Sequence, residues 1–220
     1  QMVQHLRGYL SEDEAISVLD RDRRLIAREI HAQMMAHFWE EATEYEVQVS
    51  RGFTELKPCN YTATAGQAPR HFRETVEDVG RIKQMLFGGF TKCLYPLQKF
   101  DSDTERRFAV LLEDDDDVLK WFKPGKGQLN IFYSADHSYE PDFIVETKTT
   151  KYLCEPKRLS EMDDEVVRAK ARAAARWCRD ATAHAVQNGG KPWAYLLIPH
   201  TSITAAASLA GLAGAHTFGA

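Results

Sequence analysis

At 220 residues, 44% hydrophobic and 27% charged, the chain is long enough to bury one large core or two smaller ones, with the balance of an ordinary soluble protein. A formal net charge of -4 excludes a generic polyanion binder, so contact with a nucleic acid has to rest on a local basic patch helped by a metal. No apolar run approaches the roughly 20 residues of a membrane span and no charged-then-apolar leader opens the chain, so the expectation is a cytoplasmic protein with no membrane attachment.

The opening Gln1-Met2-Val3 falls inside what reads as an element, which suggests a piece of a longer polypeptide. Ser11 to Glu14 spells a capping box, and Ile16, Leu19, Ile26, Ile30, Met34 and Phe38 recur at helical spacing to about Ala42. A long amphipathic helix or helix pair follows. His31 and His37 lie six apart and share no ligand-facing side, and Met34, Met35, Phe38 and Trp39 read as core. Tyr45, Val47 and Val49 alternate with polar residues as a strand does, Pro58 to Arg70 reads as a loop, and a helix is expected from about Glu74 to Phe87, stopped by Gly88-Gly89. Phe90 to Leu97 has extended character. Residues 1–98 are thus expected to form a mainly helical linker or interaction region with one or two strands.

Ser102-Asp-Thr-Glu105 is a second capping box, after which Phe108, Leu111, Leu112, Leu119 and Phe122 continue an apolar pattern. Glu105 has two candidate roles, bonding the Ser102 backbone or standing beside a metal, and one carboxylate can do both. The run Glu113 to Asp117 reads as a solvated charge run that interrupts the helix. After the turn at Pro124 to Gly127, Leu129, Ile131 and Tyr133 are expected to form the first strand of a sheet, and a hairpin follows, Phe143 to Thr147 and Tyr152 to Cys154 with its continuation. A long Ala-rich helix is expected from Ser160 to about Gln187, with Val166, Lys170, Ala173 and Trp177 on one stripe, then a strand from Trp193 to Pro199 and a small-residue helix from Ser202 to about Gly214. Lys170 either snorkels past the core or reaches toward a phosphate. Cys59, Cys93, Cys154 and Cys178 lack zinc spacing and read as reduced, buried thiols.

The chemistry concentrates on the hairpin. With a turn over Lys148 to Thr150, paired residue numbers sum to about 298, which sets Asp142 opposite the Glu155 to Lys157 end. Glu155 and Lys157 share one face while Cys154 and Pro156 take the other. Two carboxylates hold a hard divalent cation through oxygen, and an adjacent ammonium orients a water or a phosphate oxygen. That is equipment for hydrolysing a phosphodiester. Glu146 and Lys148 also spell Glu-x-Lys, but Glu146 lies roughly 13 Å along the strand from Asp142 and is set aside as hairpin tip.

From Ser102 the order is helix, strand, strand, strand, helix, strand, an α/β sandwich with a mixed sheet. Pro141-Asp142 followed by Glu155-Pro156-Lys157 resembles the PD-(D/E)xK nuclease motif, whose common core has the same order. The words Leu86-Phe-Gly-Gly-Phe90, Cys93-Leu-Tyr-Pro96, Lys99 to Ala109, Leu119-Lys-Trp-Phe122, Tyr139 to Phe143 and Tyr195 to His200 are similar to the C-terminal endonuclease region of the restriction (Res) subunit of type III restriction-modification enzymes and related helicase-nuclease fusions. The resemblance implies a restriction-endonuclease-like core over residues 99–201, a C-terminal small-residue helix and tail over 202–220, and a magnesium-dependent DNA endonuclease acting in defence against foreign DNA. Manganese would substitute for magnesium. Asp142 and Glu155, with the Pro156 carbonyl, would hold the metal, Lys157 would be the catalytic lysine, Glu105 the supporting acid, and Lys170 an assisting residue. Implied partners are double-stranded DNA, an ATP-driven superfamily 2 helicase motor in the full-length polypeptide, and a modification methyltransferase subunit. No Gly-x-x-x-x-Gly-Lys-Ser/Thr loop occurs in the 220 residues, so ATP enters only through a motor outside them. The rival reading is a cleavage-inactive nucleic-acid-binding or assembly module that keeps the fold.

Overall fold

The structure, a computed structural model, describes residues 9–36, 56–58, 61, 68–134 and 136–219. The chain divides into two compact units, Gln1–Gln48 and Val49–Ala220. In the first, α1 (Glu12–Ala36) is one continuous helix. The Glu14 carboxylate accepts from the Ser11 amide at 3.0 Å, the return half of a capping box, and from the Ser11 hydroxyl at 2.6 Å. Three acids in its first turn oppose the positive end of the helix dipole. Ile16, Leu25, Ile30 and Met34 are exposed, so Met34 is not core. The expected strand Tyr45 to Val49, together with His37, Phe38 and Trp39, lies outside the described residues.

The second unit is built on a four-stranded mixed sheet. Its strands are β4 (Val118–Phe122), β7 (Phe143–Thr147), β8 (Lys151–Lys157) and β9 (Trp193–Pro199), side by side in that order. To number the elements in between, β1 (Arg70–His71), β2 (Phe87–Gly88) and β3 (Leu97–Gln98) form a small second sheet, and β5 (Ile131–Phe132) pairs with β6 (Ser138–Tyr139). The helices are α2 (Asp103–Asp114), α3 (Glu165–Gln187) and α4 (Leu209–His216). β4 and β7 are antiparallel, β7 and β8 antiparallel, β8 and β9 parallel.

One face of the sheet presents Val118, Trp121, Phe143, Val145, Cys154, Leu196 and Ile198 to a core shared with Phe108, Ala109, Leu111 and Leu112 of α2 and Leu209 and Leu212 of α4. Phe72, Val76, Ile82 and Phe87, from the N-terminal side of the boundary expected at residue 98, pack in this same core. The other face presents Phe122, Ile144, Leu153, Tyr195 and Leu197 to Ala171, Ala174 and Cys178 of α3. The alternation along β7, β8 and β9 is the two-residue period of a pleated chain buried on both sides. The result is mixed α/β with helices on both faces of a mixed sheet. Among the described residues no helix is long and apolar enough to cross a membrane.

Several local expectations are corrected. The first strand of the sheet is Val118–Phe122, not Leu129 to Tyr133, whose region supplies only the two residues of β5. The register shifts between Val118 and Lys120, and this bulge spaces buried Val118, Trp121 and Phe122 so that the run mimics a continuing helix, while Leu119 is exposed. Glu74 to Phe87 is not an α-helix. It holds a single 3-10 stretch, Val79–Gln84, and ends as β2, parallel to β1 and antiparallel to β3. A Cβ on Gly88 would lie 3.0 Å from the end of the Leu97 side chain, which would have to shift, and Gly89 turns the chain with φ +89°. α3 starts at Glu165 rather than Ser160, since Asp164 caps it by accepting from the Val166 and Val167 amides. Its buried face is Ala171, Ala174 and Cys178, rotated from the stripe expected through Val166 and Ala173, and Val166 is exposed. α4 starts at Leu209, capped by Ser208, rather than at Ser202.

The acidic run is also not uniformly solvated. Glu113 is buried, and its two oxygens accept from the amides of Thr91, Lys92 and Cys93, the Thr91 hydroxyl and the Trp121 indole. The helix does end in this run: Asp115 is extended at the C-cap, and its carboxylate accepts from the Asp117 and Leu209 amides.

Candidate active site

The β7–β8 hairpin turns over Lys148 to Thr150, held by Thr147, whose amide and hydroxyl donate to the Thr150 carbonyl at 2.8 Å each. Its register runs from Glu146 opposite Lys151 to Phe143 opposite Cys154. One further step along the same register faces Asp142 with Glu155 across the open end. Beyond Cys154, β8 has no β7 partner and pairs through Glu155, Pro156 and Lys157 with β9 alone. A proline is tolerated at such an edge because its missing N–H costs no pairing with β7.

Glu155 is the hub of this rim. It is 5% exposed, one carboxylate oxygen accepts from the Asp142 amide at 3.2 Å, and the other pairs with the Lys157 ammonium at 2.8 Å. Asp142, Glu155 and Lys157 are therefore brought together. Asp142 is half-buried, and its carboxyl is pushed up to about 8 by burial first and then by the Glu155 charge, with Lys123 and Lys157 opposing and Glu105 adding to the effect. Burial works against the Lys157 charge, but Glu155 and then Asp142 outweigh it and raise its pKa, so it stays an ammonium.

Glu105 sits at the start of α2 and performs the capping role. Its amide donates to the Ser102 hydroxyl at 3.2 Å, and its carboxylate accepts from the Asp101 amide at 3.1 Å, one residue earlier than the Ser102 backbone. The same carboxylate forms an ion pair with Lys123. Among the described residues no three His, Cys, Asp or Glu side chains form a ready metal cage. Glu105 reaches Asp142 as a charge, while one of its oxygens accepts from Lys123 and the Asp101 amide and the other from the Ser102 hydroxyl at 3.4 Å.

Lys123 was missed in the sequence. It follows β4 directly, and because β4 is antiparallel to β7 its ammonium lies 5.1 Å from the centre of the Phe143 ring, beside Asp142, and 5.9 Å from that of Phe100. Its local signal is a lone cation after the buried pair Trp121-Phe122. Lys170 lies over the rings of Tyr133 at 5.6 Å and Tyr139 at 5.8 Å. Burial, then the Glu155 charge, raises the Tyr139 phenol, with a hydrogen bond to the Tyr195 hydroxyl opposing. The decoy is accounted for at the tip: Glu146 pairs with Lys191 at 2.8 Å and Lys148 with Asp117 at 2.9 Å. A cavity of about 510 Å³ lined by Arg73, Arg106, Arg107 and Asp114 to Asp116 is formed by other residues, and Arg73 and Arg106 pair there with Asp114 and Asp103.

Neither models of known protein families nor curated proteins give a match to this chain. What the rim can do therefore rests on its own chemistry. Three carboxylates, Glu105, Asp142 and Glu155, against two ammonium groups, Lys123 and Lys157, leave negative charge in excess, which adds to burial in raising the Asp142 carboxyl. All the acidic donors are oxygens, the set a hard divalent cation takes. The residues present fit magnesium.

Proposed function

We propose that the chain is a magnesium-dependent DNA endonuclease domain with a restriction-endonuclease-like core. The observation that carries the reading is the Glu155 carboxylate, tied at once to the Asp142 amide and the Lys157 ammonium at the open end of the hairpin. The resemblance of Pro141-Asp142 and Glu155-Pro156-Lys157 to the PD-(D/E)xK motif supports it. Asp142, Glu155 and the Pro156 carbonyl would hold the ion, with Glu105 joining directly or through water. When bound, magnesium supplies Lewis-acid polarisation of a phosphoryl oxygen and makes a water acidic enough to attack at neutral pH.

The chain's own residues do the rest. Lys157, held by Glu155, orients the attacking water and offsets phosphate charge. Lys170, shielded by Tyr133 and Tyr139, adds a positive charge on the α3 side. The wider similarity extends the proposal to a type III restriction-type system, in which a helicase motor elsewhere in the polypeptide brings double-stranded DNA and a methyltransferase subunit reads the site. Purified protein with magnesium or manganese should cut supercoiled DNA, and Asp142→Ala or Lys157→Ala should lower cutting by at least about 100-fold with the circular dichroism spectrum unchanged. Undiminished cutting by either variant removes that residue from the mechanism.

One observation favours a second reading, a binding module that does not cleave: Glu105 is paired with Lys123 and Glu155 with Lys157, so two of the three acids are already engaged by ammonium groups. Isothermal titration with manganese, native protein against Asp142→Asn, separates the two. Equal heats from both proteins would favour the binding module.

A further inference from the structure

Lys123 and Glu105 form a nearly dry ion pair, with 13% and 8% of their side chains exposed. Burying a charge is costly unless it is paired, so each holds the other in place. The pair is not symmetric. Glu105 also accepts from the Asp101 amide and belongs to the cap of α2, so its position survives loss of the ammonium. The Lys123 ammonium, on a flexible four-carbon stem, meets that carboxylate and the faces of Phe100 and Phe143. Its charge opposes those of Glu105 and Glu155 at Asp142. An ammonium so placed does part of the work of a metal ion.

We propose that Lys123 is a resident counter-cation of the acid cluster, keeping Glu105 out of the metal site until a divalent ion displaces it. This rests on the nuclease reading above. With a divalent ion held by Asp142 and Glu155, the Glu105 carboxylate would leave Lys123 and join them, and the lysine stem would turn out to solvent. Metal affinity is thereby weakened by the competing charge, and the acids stay neutralised in the empty protein. The alternative is an ammonium that remains beside the bound ion as a fixed positive group assisting it.

The test is manganese binding to the 220-residue chain, followed by isothermal titration so that no cleavage is needed. A divalent ion that must first break a buried pair of unit charges about 4 Å apart is weakened about tenfold once the effective dielectric falls slightly below that of water. Lys123→Met should therefore bind manganese at least about tenfold more tightly than the native chain. Lys123→Arg should resemble the native chain, and adding Glu105→Gln to Lys123→Met should remove much of the gain. Should Lys123→Met fail to fold, Lys123→Gln keeps a neutral donor for Glu105 and gives the same comparison. Equal or weaker binding by the neutral variants overturns the proposal while Asp142→Asn, by abolishing binding, leaves the metal site standing. No manganese binding by the native chain or any variant overturns both. Binding by the neutral variants alone supports the competition.

Discussion

Glu113 offers the sharpest check on how the site is held. Its carboxylate accepts five hydrogen bonds, at 2.8 and 2.7 Å from the Thr91 amide and hydroxyl, 3.0 Å from the Lys92 amide, 3.1 Å from the Cys93 amide and 2.8 Å from the Trp121 indole. Trp121 belongs to β4, and Leu94 and Lys92 pair with its backbone along the outer edge of that strand. Glu113 thus ties the 91–94 segment to the strand that delivers Lys123. In Glu113→Ala, water can replace the bonds to exposed Thr91, but the indole is fully buried and the Lys92 and Cys93 amides are partly so. Buried donors left unsatisfied cost about 1–3 kcal/mol each, so the loss should be about 3–5 kcal/mol. For a unit of this size that is a fall of roughly 8–16 °C in midpoint. Glu113→Gln should fall between, because its amide nitrogen would face the Thr91 N–H as a second donor. Urea unfolding of both variants measures it. A loss under about 1 kcal/mol for Glu113→Ala would refute the reasoning. Although burial works against the charge, the hydrogen bonds outweigh it and hold the Glu113 carboxyl below its ordinary value. Its contribution is therefore present above about pH 4.5 and is lost as pH falls through the folded value, and Glu113→Ala should flatten that part of the acid profile.

Asp142 has the opposite sign. With its carboxyl raised to about 8, the stability it contributes in metal-free protein is complete below its unfolded value near 4 and is lost as pH rises through about 8. Between pH 5 and 8.5 in the presence of chelator, the urea midpoint of the native chain should fall relative to Asp142→Asn, and parallel profiles would sink the assignment. Gly89→Ala places a side chain at φ +89° and a Cβ 2.6 Å from the His71 ring. The ring is exposed and can swing away, so backbone strain sets a cost of about 1–3 kcal/mol, and a loss within 0.5 kcal/mol by chemical denaturation would contradict the turn.

Local patterns carried the hairpin, β9 and the start of α2. Alternation sets which residues of β7 and β8 share a face, a Lys-Thr-Thr tip sets the turn, and those two facts suffice to bring Asp142 to Glu155 and Lys157. Capping chemistry marked Ser102 for the same reason: its partners lie within three residues. Misreadings arose where a contact spans a long stretch of chain or where one inserted residue shifts a period. The bulge in β4 gave a strand the spacing of a helix, and α3 turned by a residue shows that an Ala-rich helix carries little information about its inward side.

By itself, the sequence determined the acids and the amine of the rim, because a hairpin brings its own ends together with no help from the rest of the chain. Only the tertiary structure decided that Lys123, 19 residues before Asp142, neutralises the same cluster, and that Glu113 is an internal anchor rather than a surface charge. Both depend on β4 lying beside β7 and on the 91–94 segment lying along β4. Pairing between distant segments is selected by burial of the whole core, and no run of neighbouring residues encodes it.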